Sequence, residues 1–181
     1  MLYFHFVNWG MLLMVIAGMS ATGCGRQPGS FPVPTQKSID LGPDPGVPRG
    51  MVRMDDPDAD AFLVRDISPE HGATRWAFLH PELRLIVSDA SHLKFAAEFA
   101  IPPVTFRVTG PVTVSVAVNG KPLGTMRCDH AGDYRLERAV PDGLVEARKE
   151  TRVTFQADPR WVSPEDGAQL SFLLRSAGFT Q

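Results

Sequence analysis

Residues with a chemical role to offer are sparse in this 181-residue chain, and the pair with most to give is Arg75-Trp76. An indole stacks on the C–H face of a sugar while a guanidinium or carboxylate takes the hydroxyls, provided a concave site excludes water. Tyr134 and Trp161, the latter beside Arg160 and just after Asp158-Pro159, extend the set of candidate ligand-binding residues to Arg75, Trp76, Tyr134 and Trp161. The same residue types also serve architecture. A strand that follows a loop is where sheet proteins bury a large ring, so Trp76 is weighed as a core residue, with Arg75 paired to a carboxylate at the surface and Trp161 covering one end of the fold.

Other chemistry has thinner support. His71, His80, His92 and His130, taken with Glu70, Glu82 and Asp129, lack the close ligand spacing of a zinc motif. Asp55, Asp56, Asp58 and Asp60 are acidic enough for calcium, but Pro57 interrupts them and the central glycine of a calcium loop is missing. There is no G-x-S-x-G, H-E-x-x-H, phosphate-binding loop or dinucleotide glycine fingerprint. Paired carboxylates remain open as an acid and base for glycoside hydrolysis, a mechanism that depends on a separation linear spacing does not give. No catalytic residue, metal or cofactor is therefore assigned.

Composition narrows the partners. Eighteen Lys and Arg stand against 20 Asp and Glu, for a formal net charge of -2, without the basic surplus that nucleic-acid binding draws on. Eleven Phe and three Trp can support a core, which argues against an acidic disordered chain.

Positioning elements begin after an apolar leader. Residues 2 to 19 are almost wholly apolar, and Ser20-Ala21-Thr22-Gly23-Cys24 follows. The segment resembles a bacterial lipoprotein signal peptide over residues 1–23, with Ala21-Thr22-Gly23-Cys24 as its lipobox and Cys24 as the lipidation site. It departs from that pattern in having no Lys or Arg before Cys24. An uncleaved apolar anchor is the alternative, since about 20 apolar residues span a bilayer as a helix. Either reading puts the rest of the chain outside the cytoplasmic membrane, in the cell envelope. Gly25 after the Cys resembles lipoproteins not retained at an inner membrane. With Cys24 lipidated, Cys128 has no intramolecular partner, so a disulfide scaffold is excluded. Cys128 then reads as a small buried residue of a strand, with His130 too poorly placed to activate it.

Residues 24–60 are expected to form a disordered tether. Between 25 and 60 there are seven Pro and five Gly with one aromatic, Phe31, too little apolar surface to offset the entropy of ordering. From residue 61 to 181 period-2 alternation takes over. Val112, Val114, Val116 and Val118 share one strand face, and Asn119-Gly120 predicts a type I′ hairpin to a strand at Lys121 to Cys128. Leu93 to Ile101 reads as a strand, and Val104 to Val108 as another after the Pro102-Pro103 break. Further strands are expected at 62–65, 76–80, 83–87, 134–140, 153–157 and 170–174, with a helical turn admitted only at Leu144 to Lys149. So many short strands without helices between them predict an all-β chain, a single antiparallel β-sandwich.

Three stretches give this sandwich a resemblance. Ile67-Ser68-Pro69-Glu70-His71-Gly72-Ala73-Thr74-Arg75-Trp76, Val116 to Gly124 around Asn119-Gly120, and Phe155 to Phe179 with Asp166-Gly167 and Ala177-Gly178-Phe179 resemble jelly-roll, carbohydrate-binding-like modules of bacterial envelope proteins. Ala168 replaces the Arg that many relatives carry after Asp-Gly. The resemblance implies a non-catalytic module that binds polysaccharide or an envelope protein, held at the membrane through lipid on Cys24. A protein-interaction module working through an exposed strand edge, and a small glycan hydrolase, are the other readings.

Overall fold

The computed structural model describes residues 48–181. The apolar leader, the lipobox with Cys24, and the tether as far as residue 47 lie outside the described residues. The chain runs through β1 (Met51–Arg53), a 3-10 turn (Ala59–Phe62), β2 (Leu63–Ile67), β3 (Arg75–Ile86), β4 (Lys94–Ile101), α1 (Pro103–Thr109), β5 (Val112–Val118), β6 (Lys121–Cys128), β7 (Gly132–Ala139), β8 (Glu150–Asp158), β9 (Trp161–Val162), β10 (Gln169–Leu170) and β11 (Phe172–Thr180).

The strands pair antiparallel in the order β6-β5-β8-β3-β11-β4-β7, with β1 on β11 and β2 on β3. β3 belongs to both halves of this sheet: Arg75 to Ala77 pair with β11, and Glu82 to Ile86 pair with β8. Pro81 lies between the two stretches, where its missing N–H takes no ladder bond. The sheet doubles over at this strand into two facing layers, β6-β5-β8-β3 and β3-β11-β4-β7. Rings from both layers meet inside, with Phe155 of β8 lying 6.1 Å from Phe95 of β4 and 5.7 Å from Phe172 of β11. The result is an antiparallel, jelly-roll-like β-sandwich, as the alternation predicted. Asn119 and Gly120 take φ of 49° and 76°, the positive pair that a type I′ hairpin requires.

Three expectations are corrected. Val104 to Val108 is not a strand but lies in α1, because Pro103 at the first helical position suits a helix start and Gly110, at φ 68°, ends it. Residues 49–60 are not tether. Arg49 bridges Ile86, β1 pairs with β11, and Val52, Met54 and Ala59 are buried, so the domain begins near residue 49 rather than 61. Its acidic residues are neutralised locally: Arg49 binds Asp58 and, at 2.5 Å, Asp56, while Arg53 meets Asp55 at 3.0 Å. Leu144 to Lys149 forms turns rather than a helical turn, anchored by buried Leu144 and Val145.

Candidate functional site

Register decides what the predicted aromatic residues can do. Across one layer Arg75, Leu174, Phe99 and Tyr134 stand directly opposite one another, and so do Trp76, Leu173, Ala100 and Asp133 in the next row. Directly opposed residues share a face, and adjacent rows face opposite ways. The first row contains buried Arg75, Leu174 and Phe99 and therefore faces the core. Trp76 is on the outer face, half-buried, beside Leu173 and Ala100. Trp76 and Tyr134 thus cannot form one platform, and Trp76 is not the core plug that the sequence favoured.

Tyr134 is consumed by its neighbours. Its ring stacks between Phe99, at 5.9 Å, and His130, at 5.1 Å. Its hydroxyl donates to the His130 carbonyl at 2.7 Å and accepts from the His130 amide at 3.0 Å. Both ring faces and the polar tip hold the turn from β6 to β7. Trp161 is half-buried in β9, opposite Leu170.

Arg75 takes the interior position instead. Its side chain is 0% exposed. Nε donates to the Met54 carbonyl at 3.1 Å, one terminal nitrogen meets Asp60, and the other donates to His71 Nδ1 at 2.9 Å. A guanidinium has no acceptor, so Nδ1 of His71 must be unprotonated and its proton sits on Nε2, 3.1 Å from the other Asp60 oxygen. The Arg75 hydrogen bond holds the Asp60 carboxyl below the usual carboxylate range, with the Arg75 charge and the His71 hydrogen bond adding and desolvation opposing. This is an architectural clamp on the segment from Met54 to Arg75. The sequence reading correctly gave Arg75 a carboxylate partner, but at the wrong depth.

A concave site lies on the other layer. On the outer face of β6-β5-β8-β3, Thr154 of β8 stands between Glu82 of β3 and Ala117 of β5, and Ala117 is opposite Pro122 of β6. Two residues along, on the same face, Gln156 is opposite Ser115, which is opposite Thr125. Small side chains in the middle strand leave a low floor, and larger ones at the margins raise walls. Arg65 and His80 form one wall and Pro122 and Thr125 the other, around a trough of about 420 Å³. Val116 and Phe155, whose own side chains are buried in the core, also border it. Among the described residues, the side chains of Ser115, Thr125, Thr154 and Gln156 make no hydrogen bond to protein, so their polar groups face the trough open to a ligand. The predicted alternation put Thr113, Ser115 and Ala117 on one face, but nothing linear showed that β8 supplies Thr154 and Gln156 beside them.

No protein-family model matches the chain, and no curated protein is similar to it in sequence at a significant level. Solved structures resemble parts of it. An acetyl xylan esterase (Est2A) from the rumen bacterium Butyrivibrio proteoclasticus matches at 12% identity and TM-score 0.43, over 72% of this chain and 33% of the esterase. The chain thus spans about a third of that enzyme's length. The carbohydrate-binding module CBM35 from Cellvibrio japonicus Abf62 matches at 10% identity and TM-score 0.38, over 72% of this chain and 93% of the module. A CBM36 module in complex with calcium and xylotriose matches at 11% identity and TM-score 0.37, over 72% of this chain and 98% of the module. Each is a distant likeness.

Cys128 is buried at the end of β6. Burial, with the nearby Asp129 charge adding, pushes its thiol up to about 11, the opposite of an activated nucleophile.

Proposed function

We propose that the sandwich is a non-catalytic glycan-binding module, held at the extracytoplasmic side of a bacterial membrane by lipid on Cys24, with the trough as its binding site. The observation that carries this reading is the cluster of neutral polar groups, Ser115, Thr125, Thr154 and Gln156, that line a concave trough and have no hydrogen-bond partner among the described residues. Sugar hydroxyls both donate and accept, and so do serine and threonine hydroxyls and a glutamine amide, so each sugar hydroxyl can find a complementary partner. The trough also presents apolar surface, from Ala117 and Pro122 and the bordering Val116 and Phe155, against which the C–H groups of a sugar can pack. Recognition here rests on hydrogen bonds rather than on stacking against Trp76, which the sequence offered as a candidate ligand-binding residue.

Among the described residues no carboxylate lines the trough, so these residues do not supply the pair of acids that hydrolysis of a glycoside uses. Weak individual sites suffice for an anchored module. A millimolar dissociation constant corresponds to about 4 kcal/mol, and tethering to a surface raises the effective concentration.

Two experiments test the two halves of the proposal. Affinity electrophoresis of the full chain in detergent through gels containing xylan, dextran, alginate or polygalacturonate should retard the protein in at least one gel, and Ser115→Trp, which fills the floor, should abolish the retardation. Retardation unchanged by Ser115→Trp would remove the trough from the account. For the anchor, Cys24→Ser should move the protein from the detergent phase to the aqueous phase, whereas unchanged partitioning would show an uncleaved apolar anchor.

A further inference from the structure

Resting on that reading of the trough, we infer that its ligand is an acidic glycan, whose carboxylate or sulfate group is received by the wall formed by Arg65 and His80. Among the described residues the lining contains one guanidinium, one imidazole and no carboxylate. Arg65 is more than half exposed and pairs with Glu82, its Nε lying 2.8 Å from Glu82 Oε2. Among the described residues its two terminal nitrogens have no partner.

Glu82 does not meet the ligand. Its side chain is 13% exposed, and its second oxygen is taken by Arg152 at 3.2 Å. One largely covered carboxylate therefore serves two arginines, and the exposed Arg65 retains a planar pair of donors at the trough's edge. A carboxylate or sulfate matches that fork in geometry as well as in charge. His80 stands beside it, with its backbone amide fixed at 2.8 Å by the Asp66 carboxylate.

The outer face of the other layer lacks this imbalance. Arg135 has both Glu98 and Glu137, and Arg175 has Asp133, so each of these arginines has an exposed carboxylate of its own. The chain as a whole, at net charge -2, gives a polyanion no general attraction. Anion preference would therefore be a property of this site.

The test compares polygalacturonate with the same polymer fully methyl-esterified, and dextran sulfate with dextran, in titrations of the full chain in detergent at low salt. One charged-fork interaction predicts about tenfold tighter binding of at least one acidic polymer over its neutral counterpart. The galacturonate pair reports a carboxylate ligand and the dextran pair a sulfate. Arg65→Gln should bring each ratio to about one, with Arg65→Lys intermediate because it keeps the charge but loses the fork. Equal binding of both members of both pairs, or a preference that survives in Arg65→Gln, overturns the inference while leaving the trough as a glycan site. Absence of binding to all four polymers, or binding untouched by Ser115→Trp, overturns the reading on which the inference rests.

Discussion

Trp76 and Arg75 exchange the places expected of them: the guanidinium is buried inside the sandwich, while the indole beside it lies half-buried on the outer face. A buried guanidinium persists only where its donors are taken, and Met54, Asp60 and His71 take them.

The order of stabilities follows from that exchange. Trp76→Ala should cost about 1 to 2 kcal/mol, as for a half-buried surface ring, and Arg75→Met about 3 kcal/mol, because it leaves the Met54 carbonyl without its donor and releases the segment that Arg75 ties to Asp60 and His71. Urea melts of both variants check the ranking. A larger loss for Trp76→Ala would return the ring to the core.

Acid sensitivity has a local source at Asp60. Its folded pKa is depressed by Arg75, so its contribution to stability is fully present above the unfolded carboxylate pKa and is lost as pH falls through the folded value. Asp60→Asn should therefore lower stability at neutral pH and flatten the acid limb of a stability–pH curve. An acid limb of unchanged slope would show that the carboxylates responsible lie elsewhere.

Thr151 faces the core opposite Leu85 with its hydroxyl buried and without a hydrogen-bond partner. Thr151→Val keeps the shape and removes the unpaired group, and should stabilise the protein by about 1 kcal/mol in thermal or urea denaturation. A destabilised variant would mean that the hydroxyl is satisfied.

Cys128 should be inert while the protein is folded. With its thiol pushed up to about 11, alkylation at mildly alkaline pH, followed by peptide mass spectrometry, should leave Cys128 unmodified until denaturant is added. Rapid labelling of the native protein would contradict its burial.

Much of the sandwich was legible because alternation is local. The valines of β5, the Asn119-Gly120 turn and the apolar faces of β4 and β8 are set by neighbours two residues apart. What failed was set by contacts distant in sequence or by a competing local rule. Val104, Phe106 and Val108 alternate like a strand, yet Pro103 and Gly110 frame a helix. Residues 49–60 look like tether by composition, yet Arg49 and Arg75 neutralise the aspartates there and β11 offers β1 an edge. The trough was invisible for the same reason: its floor joins Ser115 to Gln156 and Ala117 to Thr154 across the β5–β8 pairing, and its Arg65 wall comes from β2.

The most direct test of glycan recognition at the trough is a side-by-side titration of Ser115→Trp and Trp76→Ala, in the full chain, with whichever polysaccharide retards the unmodified protein. The account predicts that Ser115→Trp loses binding at an unchanged melting temperature while Trp76→Ala binds as the unmodified protein does. Binding lost in a folded Trp76→Ala and kept in Ser115→Trp would contradict it and move the site to the outer face of the opposite layer.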